Sequence, residues 1–303
     1  LFKHFKEMKE YPLFGALDIG SNAARILFAN VIQHINELVV FKNSLLRLPL
    51  RLGEDVYDTG KLSPRKTNSI IETLRVFSSL IKIYKPLDYA VYATAAIREA
   101  TNSQQVLGLL KAESGFQIHV IDGLEEARII KELYQNKGGN ENFKLMADLG
   151  GGSFELTVLS PSGKYISDSF KIGAVRALNS SIPDNEFDRM YKWLETHLPE
   201  DRKNVYFIGT GGNMNTMKST FSSVLTDYLE LKKIKEILNQ LKPLSVRDRI
   251  STYRLRPDRA DVIIPAAEIF INMMEYCKID KVHIPGGGLS DGIVLELYKK
   301  HFV

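Results

Sequence analysis

An aspartate closes an apolar run and a glycine turn follows it at two places in this chain, Asp18-Ile19-Gly20-Ser21-Asn22 and Asp148-Leu149-Gly150-Gly151-Gly152-Ser153. When Asp18 is set against Asp148, the register continues until Arg25 falls opposite Glu155. Each segment reads as strand-turn-strand. Glycine lets the backbone approach a ligand closely, and successive N–H groups in such a turn form a nest for an anion. Asp148 is costly to bury unless it is paired or bound to a cation, so Mg²⁺ ligation, direct or through water, is one reading and turn capping is the other. Asp18 carries the same two readings. Glu155 returns along the second hairpin toward the mouth that Asp148 occupies. Carboxylates alone repel phosphate, so a phosphate site built here also needs cations, and Arg25 and Arg98 are the candidates. Arg25 also reads as an ordinary surface residue of a strand. The chemistry on offer is phosphate binding beside a divalent cation.

Two further glycine turns, Gly209-Thr210-Gly211-Gly212 and Gly286-Gly287-Gly288, follow strand-like runs, and any one of the four also reads as a plain hairpin turn. No Gly-x-x-x-x-Gly-Lys-[Ser/Thr] occurs, and Met214 stands where a dinucleotide-binding turn starting at Gly209 needs its third glycine. Asp122-Gly123-Leu124-Glu125-Glu126 opens a helix with paired acids. Acids in a first helical turn commonly serve the helix dipole. Beside a bound phosphate, one of them could instead orient and deprotonate water, which is typically worth about 10²–10⁴-fold in rate.

The elements that must position these groups alternate between strand and helix. A hairpin starts at Leu13 and returns through 26–31, a helix follows over 59–84 behind the start signal Ser63-Pro64, then a strand over 89–93 and a helix over 104–114. A strand over 117–121 and a helix over 124–134 complete the first half, and the polar stretch 137–142 is the expected boundary. The pattern then restarts with strands over 144–147 and 154–159, a strand over 205–208, helices from 213 and over 234–241, a strand over 281–284 and a closing helix over 293–298. This alternation predicts an α/β protein of two domains, 1–136, joined by the C-terminal helix 290–303, and 137–303.

Bulk composition narrows the function classes. Forty Lys and Arg against 36 Asp and Glu leave a net charge of +4, too small by itself to argue for nucleic acid as a specific partner. Cys277 is the only cysteine, which excludes an internal disulfide or a zinc cluster and fits a reducing compartment. The apolar stretch 262–274 is interrupted by Pro265, Glu268 and Asn272, so no membrane span is expected, and residues 1–10 lack a signal-peptide core. These features together predict a cytoplasmic protein.

Taken together, the segments resemble the exopolyphosphatase and guanosine pentaphosphate phosphohydrolase (Ppx/GppA) family, in a short two-domain form. The resemblance is carried by the first turn with Arg25, Arg51-Leu52-Gly53, the stretch 93–102, the stretch 123–128, the second turn with Glu155, Gly173-Ala174-Val175-Arg176, Gly209 to Gly212, Arg259-Ala260-Asp261-Val262-Ile263, and the stretch 286–292. It implies two RNase H-like domains of the actin-like ATPase superfold, shared with sugar kinases and Hsp70, with the active site in the interdomain cleft. It also implies hydrolysis of a terminal phosphoanhydride of polyphosphate or guanosine pentaphosphate, Mg²⁺ as cofactor, and a homodimer. Carried onto this chain, Glu126 is the expected general base, with Glu125 as the competing assignment. Asp148 and Glu155 are the expected Mg²⁺ and water-organising acids, while Gly20, Ser21, Asn22, Arg25, Arg98, Gly150, Gly151, Gly152 and Ser153 hold phosphate. Ala23, Phe154 and Asn213 stand where the family usually has a hydroxyl residue, which implies altered phosphate or base recognition.

Two other functions fit the same turns. A small-molecule kinase of the superfold would need an acceptor pocket and would leave a phosphorylated acceptor instead of free phosphate. A nucleotide-binding sensor or actin-like assembly protein would dispense with Glu125 and Glu126. The arginines at 247, 249, 254, 256 and 259 read either as a solvated face with helix-end salt bridges or as a guide for an anionic chain.

Overall fold

The structure, a computed structural model, describes residues 11–34, 37–139, 142–202, 205–222 and 226–303. The N-terminal stretch 1–10 and part of the expected boundary 137–142 lie outside the described residues. Two compact units form, one from Leu1–Asp122 with Leu289–Val303 and the other from Gly123–Gly288.

In the first unit β1 (Leu13–Ile19), β2 (Ala24–His34) and β3 (Glu37–Leu48) form an antiparallel meander, and β4 (Asp88–Ala93) and β5 (Ile118–Val120) extend it in parallel on the other side of β1. The strand order is β3-β2-β1-β4-β5. In the second unit β6 (Phe143–Leu149), β7 (Phe154–Leu159) and β8 (Tyr165–Phe170) repeat the meander, with β9 (Val205–Thr210) parallel to β6. Short β10 (Tyr228–Glu230) and β11 (Lys281–His283) complete the order β10-β11-β9-β6-β7-β8. Read from its meander edge, the second sheet has the order of the first, with β10 added. These are the paired RNase H-like sheets that the resemblance implies.

The division falls at Asp122/Gly123, not after residue 136 as expected from the polar stretch. The reason lies in the helix Gly123–Tyr134. It packs on β7 and β8, and its Ile130 and Tyr134 join Met146 and Ile208 in an apolar cluster of the second unit. The expected helix 59–84 is two helices, Leu52–Thr59 and Pro64–Tyr84. Gly60, at φ 75°, ends the first of them in the left-handed region that glycine adopts at no steric cost. Ser63 caps the second, its side chain accepting from the Lys66 N–H, with Pro64 in the first turn as the sequence reading required. The apolar segment near 262–274 is the buried helix Ile263–Cys277, and among the described residues no helix is long and apolar enough to cross a membrane.

The C-terminal helix Leu289–Phe302 crosses back to the first unit and packs on β1, β2 and β4. Its end is tied to β4 by Asp88, which accepts from Lys300 Nζ at 3.0 Å and lies 2.9 Å from His301 Nε2. Burial pushes the Asp88 carboxyl up, but the hydrogen bonds of His301, Lys300 and the Tyr89 N–H together outweigh it and hold the group below its ordinary value. A depressed folded value means that the tie is complete above the unfolded carboxylate range, about pH 4, and is lost as pH falls through the folded value. Protection of helix Leu289–Phe302 against hydrogen exchange, taken relative to the intrinsic amide rate at each pH, is therefore expected to fall only in acid. Asp88→Asn should remove that dependence, and identical acid profiles for the two proteins would contradict the tie.

Candidate active site

The register seen in the sequence is the register of the sheets. Asp18 pairs with Arg25 across β1 and β2, and Asp148 pairs with Glu155 across β6 and β7. Residues directly opposite in an antiparallel pair put their side chains on one face, about 4.5–5.5 Å apart at Cβ. The same backbone geometry therefore yields an ion pair in the first unit and two facing acids in the second.

In the second unit a third acid joins them. Glu126 and Glu155 are buried and Asp148 is partly buried, and each offers a carboxylate oxygen within 4.8 Å of the others. Glu126 arrives there because helix Gly123–Tyr134 starts hard against β7 and β8. A Cβ on Gly123 would lie 2.1 Å from Ser169 Oγ and 3.0 Å from Glu155 Oε1, so only glycine permits the approach. Ser169 Oγ donates to Glu155 Oε1 at 2.8 Å, and Thr210, opposite Asp148 on parallel β9, donates a short hydrogen bond to Asp148 Oδ1. Glu125 points elsewhere. Its carboxylate takes two hydrogen bonds from Arg128, each 2.8 Å, and its side chain is 41% exposed. Three hard oxygen donors packed together repel one another when ionised and suit a small divalent cation.

The turn after Asp148 is held from behind. The Ala174 N–H donates to the Gly150 carbonyl, and the Val175 and Arg176 N–H groups donate to Gly151, all from the short helix Ala174–Leu178. Ser153 closes the turn by accepting from the Gly150 N–H at 3.0 Å. In the first unit the corresponding carbonyls of Ser21 and Asn22 accept from the Gly53 and Arg51 N–H groups, and Gly20 N–H donates to Ala23. Ser21 Oγ lies 2.8 Å from Tyr57 Oη.

Other expected site residues are placed differently. Asp18, 2% exposed, accepts from Arg25 Nη1 at 2.7 Å and belongs to the first unit. Burial pushes its carboxyl up, Arg25 pulls it down, and burial prevails. Arg98 spends Nη1 on the Ile121 carbonyl at 2.7 Å, pinning the chain just before Gly123. Of the five arginines, Arg249 ties the Leu241 and Ala260 carbonyls and Arg259 is buried on Asn213 Oδ1, while Arg247, Arg254 and Arg256 are exposed.

Phe154 explains one departure from the usual family sequence. It is fully buried, with its ring centroid 5.6 Å from that of Phe270, so its side chain belongs to the core and Glu155 beside it faces the site. Restoring the usual residue with Phe154→Thr should cost about 3–5 kcal/mol, through the lost aromatic volume and a buried hydroxyl. Denaturant unfolding should show that cost, with turnover per folded molecule unchanged. A gain in turnover at constant stability would contradict the core assignment.

Sequence reasoning gave no role to Ser169, Thr210, Gly123 or Arg176. Thr210 and Arg176 sat inside segments already singled out, whereas Ser169 lies on β8, a polar edge strand without alternation that the pattern did not reveal.

Residues 39–301 match the model of the Ppx/GppA phosphatase family. Exopolyphosphatase 1 of Mycobacterium bovis is 24% identical, with 93% of this chain and 87% of that one aligned. Guanosine-5'-triphosphate,3'-diphosphate pyrophosphatase of Aeromonas hydrophila is also 24% identical, over 96% of this chain and 60% of its own length. The crystal structure of an exopolyphosphatase from Cytophaga hutchinsonii shares the fold, with a TM-score of 0.78 at 19% identity over 95% of this chain and 98% of that one.

Proposed function

Because the chain belongs to the Ppx/GppA phosphatase family, we propose that it is a phosphoanhydride hydrolase that releases terminal phosphate from inorganic polyphosphate, guanosine pentaphosphate, or both. The observation that carries this reading is the acidic trio Glu126, Asp148 and Glu155, with Asp148 and Glu155 on the two strands that flank the second glycine turn and Glu126 in the first turn of helix Gly123–Tyr134. Phosphoryl transfer to water asks a protein for positioning and charge neutralisation more than for covalent chemistry, and this arrangement offers both.

Asp148 and Glu155 are the residues that would hold Mg²⁺, their hydrogen bonds from Thr210 and Ser169 fixing the carboxylate orientation. When bound, the cation supplies charge neutralisation for the phosphate oxygens and for the acids themselves. Glu126 is the general base. It takes the proton of the water whose oxygen bonds to the terminal phosphorus, while the P–O anhydride bond breaks and the shortened chain or nucleotide leaves with the electron pair. The Gly151, Gly152 and Ser153 amides receive phosphate oxygens in the nest. Gly20, Ser21, Asn22 and Arg25 form a further phosphate-binding element in the first unit, supported by the parallel construction of its turn.

Phosphate release from polyphosphate, guanosine pentaphosphate and ATP, with and without Mg²⁺, tests the reading. Mg²⁺-dependent release from at least one of the first two is expected. Release from none of the three would overturn it, as would transfer of the γ-phosphoryl group of ATP to an added acceptor in place of water.

A further inference from the structure

Three consecutive carbonyls of the second turn are held from the same side, but by different means. Those of Gly150 and Gly151 accept backbone N–H groups of helix Ala174–Leu178 at 2.9–3.1 Å, an arrangement that any side chains on that helix would allow. The Gly152 carbonyl instead accepts Nε of Arg176 at 2.8 Å. In a planar trans peptide the C=O of one residue and the N–H of the next point in opposite directions. Fixing the carbonyls of 150, 151 and 152 therefore turns the amides of 151, 152 and 153 to the opposite side. Among the described residues, none of those three amides donates to another backbone group.

Arg176 is held behind the turn. It is 5% exposed, and its helix lies so close to the turn that a Cβ on Gly173 would sit 2.3 Å from the Gly151 carbonyl oxygen. A planar guanidinium fixes direction in a way that a flexible ammonium does not. The first unit provides the contrast, because there the equivalent carbonyl, that of Asn22, is held by the Arg51 backbone N–H at 2.8 Å and needs no side chain.

We propose that Arg176 is a positioning residue of the phosphate nest: by holding the Gly152 carbonyl it aims the Ser153 amide, and with it the whole nest, at a bound phosphate. The proposal rests on reading the second turn as phosphate-binding, and it gives no contact with substrate to Arg176 itself. The test is titration of the full ¹⁵N-labelled chain with inorganic phosphate, following the Gly151, Gly152 and Ser153 amides by NMR. In the wild type these three resonances should move together on phosphate addition. In Arg176→Met they should start at altered positions and phosphate should bind about 10- to 100-fold more weakly, the loss expected for one charge-assisted hydrogen bond. Arg176→Lys, which keeps the charge and can still reach a carbonyl, should fall between the two, and it decides the matter alone if the Met variant does not fold. Wild-type phosphate affinity in either folded variant overturns the proposal, as do unmoved turn amides in a wild type that hydrolyses its substrate. Responsive amides in a wild type that hydrolyses nothing would support the positioning role and sink only the hydrolase reading.

Discussion

Glu126→Gln is expected to lower phosphate release by about 10²–10⁴-fold, the usual contribution of a general base. The substitution keeps the size of a side chain that is 8% exposed, so its effect should appear in turnover and not in the amount of folded protein. If Glu126 accepts the proton only as the water attacks, kcat and kcat/KM should fall together, with the substrate-concentration dependence little changed. Glu125→Gln is the control. Glu125 is adjacent in sequence but turned outward and saturated by Arg128, so its loss should leave turnover within a few-fold of wild type. Full activity in Glu126→Gln, or collapse of activity in Glu125→Gln instead, would reverse the assignment. The pair of variants also separates the hydrolase from a phosphate-binding sensor, in which neither glutamate would matter to the readout.

What the sequence disclosed and what it withheld follow from where the information resides. The two hairpins were legible because register is local: seven residues separate Asp18 from Arg25 and Asp148 from Glu155, and the pairings Asp18↔Arg25 and Asp148↔Glu155 follow from tight turns alone. The choice between Glu125 and Glu126 was not legible. Both lie in the first turn of one helix, and only the packing of that helix on β7 and β8, allowed by the missing side chain at Gly123, decides which one points inward. β3 escaped notice for another reason. It is an edge strand with partly exposed residues on both faces, so the two-residue alternation that burial imposes is weak there. The domain boundary was misplaced because a polar, glycine-containing stretch marks a loop, whereas a boundary is set by the sheet against which the neighbouring helix buries its apolar face. Arg176 shows the limit from the other side. Its segment was visible, but a side chain that serves a carbonyl twenty-four residues away along the chain leaves no local pattern.

Asp148→Asn is expected to stabilise the protein in the absence of divalent cations and to remove most of its response to them. Carboxylate oxygens within 4.8 Å of one another repel by about 3 to 4 kcal/mol per ionised pair at the effective dielectric of a protein site. Deleting one charge relieves two such pairs, while the asparagine oxygen can still accept the hydrogen bond that Thr210 gives Asp148 Oδ1. The wild type should therefore melt lower than the variant in chelator. It should then gain more on addition of Mg²⁺, by about 2.7 kcal/mol when the cation is at a hundred times its dissociation constant. A shift of that size corresponds to several degrees in the melting midpoint of the second unit. Monovalent salt at matched ionic strength separates specific binding from screening, since screening should move both proteins alike. The sign of the chelator result is the discriminating part. If the trio were a hydrogen-bonded structural cluster with no place for a cation, Asp148→Asn would melt below the wild type and Mg²⁺ would leave both midpoints unchanged. A cation site makes the opposite demand, because such a site trades stability of the empty fold for affinity, and removing one of its acids reverses that exchange.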